Sequence, residues 1–293
     1  MAFKDPKSIT EAGIETGVTK ANLSWDKMLV AGFLAGAYIA FGALVAISVS
    51  SGLDPKTWGT LPTLFAGSVF ALGLVLVVVA GGELLTGNMA LVPLSAFRRR
   101  TSGKLLGLNF TVVLIGNLIG SLFVAYFLAV KSGVITDPLP LARLAALAKK
   151  KAVEETDWQI FLRAVGCNWL VCLAVWMAIA AEDIGGKVLA IFFPIMAFVA
   201  MGFDHVVANM FFIPAAIFAH VPGIGWGDAL NNWLFAFLGN LVGAALFVAG
   251  SYYYLYGRAG DRVAEQGAGD TERTGGRFTR RDVSDRETTR SGA

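Results

Sequence analysis

His205 is the residue whose type and setting most invite chemistry. It follows Asp204 inside a run otherwise made of Phe, Val, Ala and Met. An imidazole exchanges a proton near neutral pH, and an ionisable side chain at membrane depth points to an ion or proton path. A buried histidine satisfied by a carbonyl or by Asp204 is the plainer alternative. His220, at the end of its apolar run, reads as interfacial. The string Glu83-Leu84-Leu85-Thr86-Gly87-Asn88-Met89 repeats the pattern of Asp204-His205-Val206-Val207-Ala208-Asn209-Met210: an acid, four residues, then Asn-Met. Thr86 has the type of an N-cap for a helix starting near Gly87. Such a helix start carries partial positive charge and favours an anion. Glu83 and Asp204 would repel an anion, so they read as acceptors that tie irregular backbone to neighbouring N–H groups. Cys167 and Cys172 share an apolar block without metal-ligand spacing and read as small hydrophobes. The sequence lacks a His-rich metal pattern, a nucleotide loop and a nucleophile–base pair, so neither an enzyme nor a cofactor is expected.

The elements that must position these residues are set by composition. Of 293 residues, 56% are hydrophobic and 15% charged, against about 25% charged in an ordinary soluble domain. The apolar residues form blocks long enough to cross a bilayer, which takes roughly 20 residues per helix, and they are apolar all round rather than striped. The 34 glycines suit close helix approach. An all-α membrane protein with six crossings is expected. They run from Met28 to Ser51, Leu61 to Phe97, Leu105 to Val130, Trp158 to Ala181, Val188 to Ala219 and Ala229 to Tyr256. The second is interrupted at Gly81-Gly82-Glu83 and the fifth at Gly202-Phe203-Asp204-His205. The first block begins well after the start, so no cleaved leader is expected.

An even number of crossings puts both ends on one side. Lys4, Lys7, Lys20, Lys27, Arg98, Arg99, Arg100, Lys104 and Arg258 all fall there, which predicts cytoplasmic termini. Lys149, Lys150 and Lys151 dissent, but their loop also carries Asp137, Glu154, Glu155 and Asp157; Leu139 to Val153 reads as a short surface helix. The expected organisation is a cytoplasmic segment over 1–27, a first membrane repeat over 28–130 and an external connection over 131–157. A second repeat over 158–256 and a disordered cytoplasmic tail over 257–293 complete it.

A second pair of strings supports the repeat: Gly116-Asn117-Leu118-Ile119-Gly120 matches Gly239-Asn240-Leu241-Val242-Gly243. The acid precedes this Asn by 34 residues in the first copy and 36 in the second. Each copy holds three crossings, so the second enters the membrane from the opposite face, as an inverted repeat. Unpaired backbone groups cannot face lipid; both interruptions must therefore be buried or line a cavity, and inversion brings them together near the midplane. Asn117 and Asn240 sit inside Gly-x-x-x-Gly spacings, where their amides could satisfy the interrupted backbone of the partner half.

With these strings in place, the chain resembles the formate/nitrite transporter family from about Ala21 to Tyr256. The carrying residues are Gly82 to Met89, Asn168-Trp169-Leu170-Val171-Cys172-Leu173-Ala174-Val175-Trp176, and Gly202 to His205 with Ala208-Asn209-Met210-Phe211. The resemblance implies an aquaporin-like protomer with its own pore, assembled as a homopentamer in the cell inner membrane. It implies that His205 and Thr86 meet the permeating anion, and that Asn168 faces a pore vestibule. Phe70, Leu74, Leu84, Leu85 and Phe198, which alone read as lipid-facing or core side chains, would line two apolar constrictions. An apolar slit rejects hydrated ions by dewetting. Lys150 or Lys151 would match a vestibule lysine that attracts anions. Where some formate channels carry Phe in the interruption, this chain has Leu85. The expected function is passage of a small monovalent anion, formate first, with proton coupling through His205. Nitrite or hydrosulfide is the alternative within the family. An aquaporin-like neutral solute channel is the alternative outside it, since Asn88-Met89-Ala90 and Asn209-Met210-Phe211 echo paired Asn-Pro-Ala boxes without the prolines.

Overall fold

A computed structural model describes residues 3–258; the expected tail from 259 onward lies outside the described residues. Among them the chain is helical: α1 Pro6–Ala21, α2 Trp25–Ser50, α3 Pro55–Trp58, α4 Leu61–Gly81, α5 Leu85–Phe97, α6 Gly103–Lys131, α7 Pro138–Lys149, α8 Asp157–Ala180, α9 Ile184–Ala200, α10 Val206–Phe218 and α11 Trp226–Gly257. Five of these, α2, α4, α6, α8 and α11, are long and apolar enough to cross a membrane. α5, α9 and α10 are shorter apolar helices.

Polar side chains fix where the helices start. Asp5 caps α1 through the N–H groups of Lys7 and Ser8, Asp183 caps α9 through that of Gly186, and Thr156 with Gln159 forms a reciprocal capping box on α8. The surface helix is α7 with a wider turn over Lys150–Glu154, so it begins one residue earlier and ends one later than expected.

Two irregular stretches separate α4 from α5 and α9 from α10. Gly81 (φ 97°) and Gly202 (φ 72°) each turn the chain out of the preceding helix, a conformation that glycine adopts without a Cβ penalty. The chain then runs without regular structure through Gly82, Glu83 and Leu84 before α5, and through Phe203, Asp204 and His205 before α10, with Gly82, Leu84 and His205 extended. Both α5 and α10 are buried for most of their length.

Small residues let the framework close around these stretches. α2 packs on α6 where Gly36 meets Asn117 and Gly120 meets Phe33; a Cβ on Gly36 would stand 2.1 Å from the Asn117 carbonyl oxygen, and one on Gly120 2.0 Å from that of Phe33. The α8–α11 pair repeats the arrangement: a Cβ on Gly239 or Gly243 would stand 2.3 Å from the carbonyl oxygen of Phe161 or Val165. Backbone cannot yield as a flexible side chain would. Gly120→Ala is therefore expected to cost about 1–3 kcal/mol or more through overpacking, read as a lower unfolding temperature in detergent; an unchanged temperature would show that the α2–α6 seam tolerates a methyl group.

The N-terminal segment is not a loose extension. α1 lies on α5 closely enough that a Cβ on Gly17 would meet the Leu91 carbonyl oxygen at 2.0 Å. The Lys4 N–H donates to the Ala180 carbonyl, 3.0 Å away.

Candidate functional site

The two irregular stretches are held by equivalent asparagines. Asn117 Nδ2 donates to the carbonyls of Gly32 and Glu83 (both 2.8 Å), and its Oδ1 accepts from the Leu85 N–H at 2.9 Å. Asn240 Nδ2 donates to the carbonyls of Ala164 (2.8 Å) and Asp204 (2.9 Å), and its Oδ1 accepts from the Val206 N–H at 2.9 Å. One side chain thus satisfies both an incoming carbonyl and the first N–H of the following helix. Each asparagine does so within its own half rather than in the partner half as expected, because α6 and α11 pack beside the stretch of their own copy.

The acids accept from neighbouring N–H groups, all of them on side chains. Glu83 accepts from Lys20 Nζ and from Asn88 Nδ2 (both 2.8 Å), and Asn88 also donates to Asn109. Asp204 accepts from Lys151 Nζ (2.8 Å) and Asn209 Nδ2 (2.9 Å), and Asn209 also donates to Asn232. Each circuit closes on its lysine: Asn109 donates to the Lys20 carbonyl and Asn232 to that of Lys151, both at 3.0 Å. The carboxylates meet ammonium and amide N–H groups, while Asn117 and Asn240 serve the backbone of the same stretches. Lys20, Asn88, Asn109, Asn209 and Asn232 are not among the sequence candidates. The matching positions of Asn109 before Asn117 and of Asn232 before Asn240 are the signal that could have found Asn109 and Asn232.

The interruptions meet at one hydrogen bond. Thr86 Oγ1 and His205 Nε2 are 2.8 Å apart, with Thr86 fully buried and His205 2% exposed. His205 caps α10: its Nδ1 accepts from the Ala208 N–H at 3.1 Å. With Nδ1 accepting, the neutral ring carries its hydrogen on Nε2 and donates it to Thr86. The Thr86 hydroxyl hydrogen is then left to point elsewhere. Thr86 is not the cap expected for α5. The helix starts at Leu85, and Asn117 supplies the acceptor at its first turn.

Two cavities approach this bond. The first, about 240 Å³, is lined by Phe70, Phe198, Lys150, Lys151, Asn209 and His205 among others; Phe70 and Phe198 meet edge to face at 5.8 Å. The second, about 310 Å³, is lined by Lys20, Leu74, Glu83, Leu84 and Asn88 among others. The structure therefore gathers His205, Phe70 and Phe198 on one approach and Leu74 and Leu84 on the other, while Thr86 is buried against His205 and lines neither cavity. Leu85, wholly buried, lines neither cavity. Nor does Asn168, whose Nδ2 donates to the carbonyls of Thr86 (3.1 Å) and Asn240 (2.8 Å). Its position braces the Thr86 backbone. Cys167 and Cys172 are free and buried.

Behind the Lys151–Asp204 pair stands Glu155, in the segment between α7 and α8. It pairs with Arg163 and lies against Asp204 and Lys151. Burial first, then the Asp204 carboxylate beside it, pushes the Glu155 carboxyl up to about 7. A proton held there gives the two facing carboxyl oxygens the donor they otherwise lack among the described residues.

The profile of a family described as "Formate/nitrite transporter" matches residues 7–254. The chain is 49% identical to "Uncharacterized transporter YrhG" of Bacillus subtilis, over 87% of this chain and 95% of that one. It is 46% identical to "Probable formate transporter" of Methanothermobacter thermautotrophicus (87% and 98% covered) and 41% identical to "Formate channel BtFdhC" of Bacillus thuringiensis (87% and 97%). Among solved structures, "FNT family ion channel" superposes with a TM-score of 0.79 at 30% identity, covering 85% of this chain and 98% of that chain. "Pentameric formate channel with formate bound" superposes with a TM-score of 0.69, also at 30% identity, over 79% and 97%.

Proposed function

The chain belongs to the formate/nitrite transporter family, and from that premise we propose that it passes formate across the cell inner membrane through a pore centred on Thr86 and His205. The family's members are named as transporters and channels, which supports reading this multi-pass membrane protein as a transporter rather than an enzyme. The proposed architecture has six crossings in two inverted repeats, with α4–α5 and α9–α10 each counting as one interrupted crossing. Both termini lie in the cytoplasm, the second cavity opens inward and the first outward. Five protomers assemble, each with its own pore, a reading supported by the likeness to a pentameric formate channel.

The observation that carries this reading is the His205–Thr86 hydrogen bond between two cavities, at the starts of α5 and α10. Helix N-termini aimed at one point favour an anion there. Phe70 with Phe198 on one side, and Leu74 with Leu84 on the other, keep hydrated ions out. An anion reaching Thr86 takes its hydroxyl hydrogen in a hydrogen bond, while His205 Nε2–H backs the same oxygen. A proton shared along this line lets formate cross the apolar rings as nearly neutral formic acid. Leu85 stays behind the pore wall, and Asn168 holds the Thr86 carbonyl from outside it. Nitrite, the family's other namesake, has the same charge and also two oxygens, so it competes for the same path.

Proteoliposomes holding the full chain test this, with isotope-labelled formate uptake and internal pH followed together. Formate uptake accompanied by a proton supports the coupled reading. Uptake with no proton movement leaves passage of the bare anion, and no uptake of formate, nitrite or hydrosulfide removes the reading. Osmotic swelling with neutral solutes distinguishes the aquaporin-like alternative.

Glu155 adds a pH dependence whose sign follows from its charges. Below about 7 it is neutral, so Lys151 and Arg163 face only the Asp204 carboxylate; above that value a second carboxylate cancels one positive charge behind the first cavity. Anion capture should weaken as external pH rises through about 7, by about twofold for one charge in a water-like dielectric. Glu155→Gln keeps the neutral state, and its half-saturating formate concentration should lack this step. An identical pH profile in both proteins would remove Glu155 from the effect.

A further inference from the structure

The first cavity carries more positive charge than its ion pair uses. Arg143, on α7, reaches into it together with Lys150 and Lys151, and no Asp or Glu is among its described lining residues. Lys151 is committed to Asp204. Lys150 Nζ stands beside the interruption, 3.4 Å from where a Cβ on Gly202 would be. Among the described residues it has no hydrogen-bond or ion-pair partner.

Arg143 is held in a particular way. Its Nε donates to Ser50 Oγ at 3.0 Å, and Ser50 gives its own hydroxyl hydrogen to the Ala46 carbonyl at 2.7 Å. Ser50 therefore acts toward Arg143 only as an acceptor, at the last turn of α2, and it is 1% exposed. Anchoring Nε fixes the guanidinium plane and leaves the two Nη groups as a fork, with no other partner among the described residues. A planar fork matches two coplanar oxygens, whereas an ammonium is only a point charge.

We propose that Arg143, seconded by Lys150, forms a holding site for a small planar anion with two coplanar oxygens, a carboxylate or nitrite, ahead of Phe70 and Phe198. The site rests on the reading that this chain passes such an anion, and it adds selection to attraction. Lysines draw in any anion, while a fixed fork favours two-oxygen anions over hydrosulfide or halide. The anion is then released toward Phe70 and His205 at the inner end of the same cavity.

Arg143→Lys tests the fork because it keeps the charge. In proteoliposomes of the full chain, its half-saturating formate and nitrite concentrations should rise about tenfold, as expected for loss of a bidentate charge-assisted pair, while hydrosulfide uptake stays within about twofold of wild type, as steering by unchanged charge predicts. Ser50→Ala keeps the guanidinium but frees its plane, and should give a smaller rise in the same direction. Unchanged formate saturation in Arg143→Lys, with unfolding at the wild-type temperature, overturns the proposal, as does an equal loss for hydrosulfide. Should wild-type liposomes pass no formate, the transport reading falls separately. Titrating isotope-labelled formate onto the detergent-solubilised proteins by NMR then decides on the fork: weaker binding to Arg143→Lys supports it, and equal binding overturns it.

Discussion

His205→Asn should remove proton movement from formate uptake and lower the uptake itself on the order of a hundredfold, the lower range of what a positioned proton donor contributes. The substitution is chosen because it preserves the architecture. Asparagine is among the best N-cap residues, and its Oδ1 can accept from the Ala208 N–H as His205 Nδ1 does now. α10 therefore keeps its start, and the protein should unfold near the wild-type temperature. What is lost is a group that can carry a proton at either nitrogen and reach Thr86 Oγ1. The companion Thr86→Val leaves the imidazole in place but takes away the hydroxyl that it backs. If both variants move formate and protons together at wild-type rates, the proton does not travel through this pair, and the bond between them is structural.

The parts of this site that are legible in the sequence are those whose spacing is local. Glu83 with Asn88, Asp204 with Asn209, and the glycine pairs around Asn117 and Asn240 recur within a few residues of each other, so two matched strings reveal a duplication. The circuits those strings enter are not legible. Lys20 reaches Glu83 from α1 and Lys151 reaches Asp204 from the segment after α7, and nothing in the spacing of a lysine within a charged stretch says which acid it will meet. Arg143 shows the same limit more sharply. On an amphipathic surface helix an arginine reads as solvated, and only its bond to Ser50 turns it toward a cavity. Thr86 reads as a cap because threonine often is one; the asparagine on α6 takes that duty from a distance no local pattern encodes. The irregular stretches before α5 and α10 are foreseeable from Gly81, Gly82 and Gly202, since glycine and an acid in an apolar run are costly unless the chain leaves the helix there.

Asn240→Ala is expected to do the greatest damage to the fold for the fewest atoms removed. Its amide serves three buried backbone groups: the carbonyls of Ala164 and Asp204, and the N–H of Val206. A methyl group serves none of them. Each buried group left without a partner costs about 1–3 kcal/mol, and inside a bilayer no water arrives to replace the amide; the total is on the order of several kcal/mol. Asp204 should suffer next, because its backbone is pinned by this asparagine while its side chain holds Lys151 and Asn209. His205 follows directly in the chain, so the Thr86–His205 bond and the first cavity loosen together. Asn240→Asp is a sharper form of the test. It keeps the acceptor for Val206 but turns a carboxylate oxygen toward two carbonyls, so it should be no better than alanine despite its shape. Asn117→Ala should behave like Asn240→Ala, since it breaks the same three kinds of bond around Gly32, Glu83 and Leu85. Asn231→Ala is the control: its amide donates to Asp157 at an exposed site, and its loss should stay within about 0.5 kcal/mol. Unfolding temperatures and yields of intact protein in detergent read all four. Wild-type stability in Asn240→Ala would mean that the stretch before α10 holds its shape without this amide, and that the two-fold match between the asparagines has no bearing on how the interruptions are built.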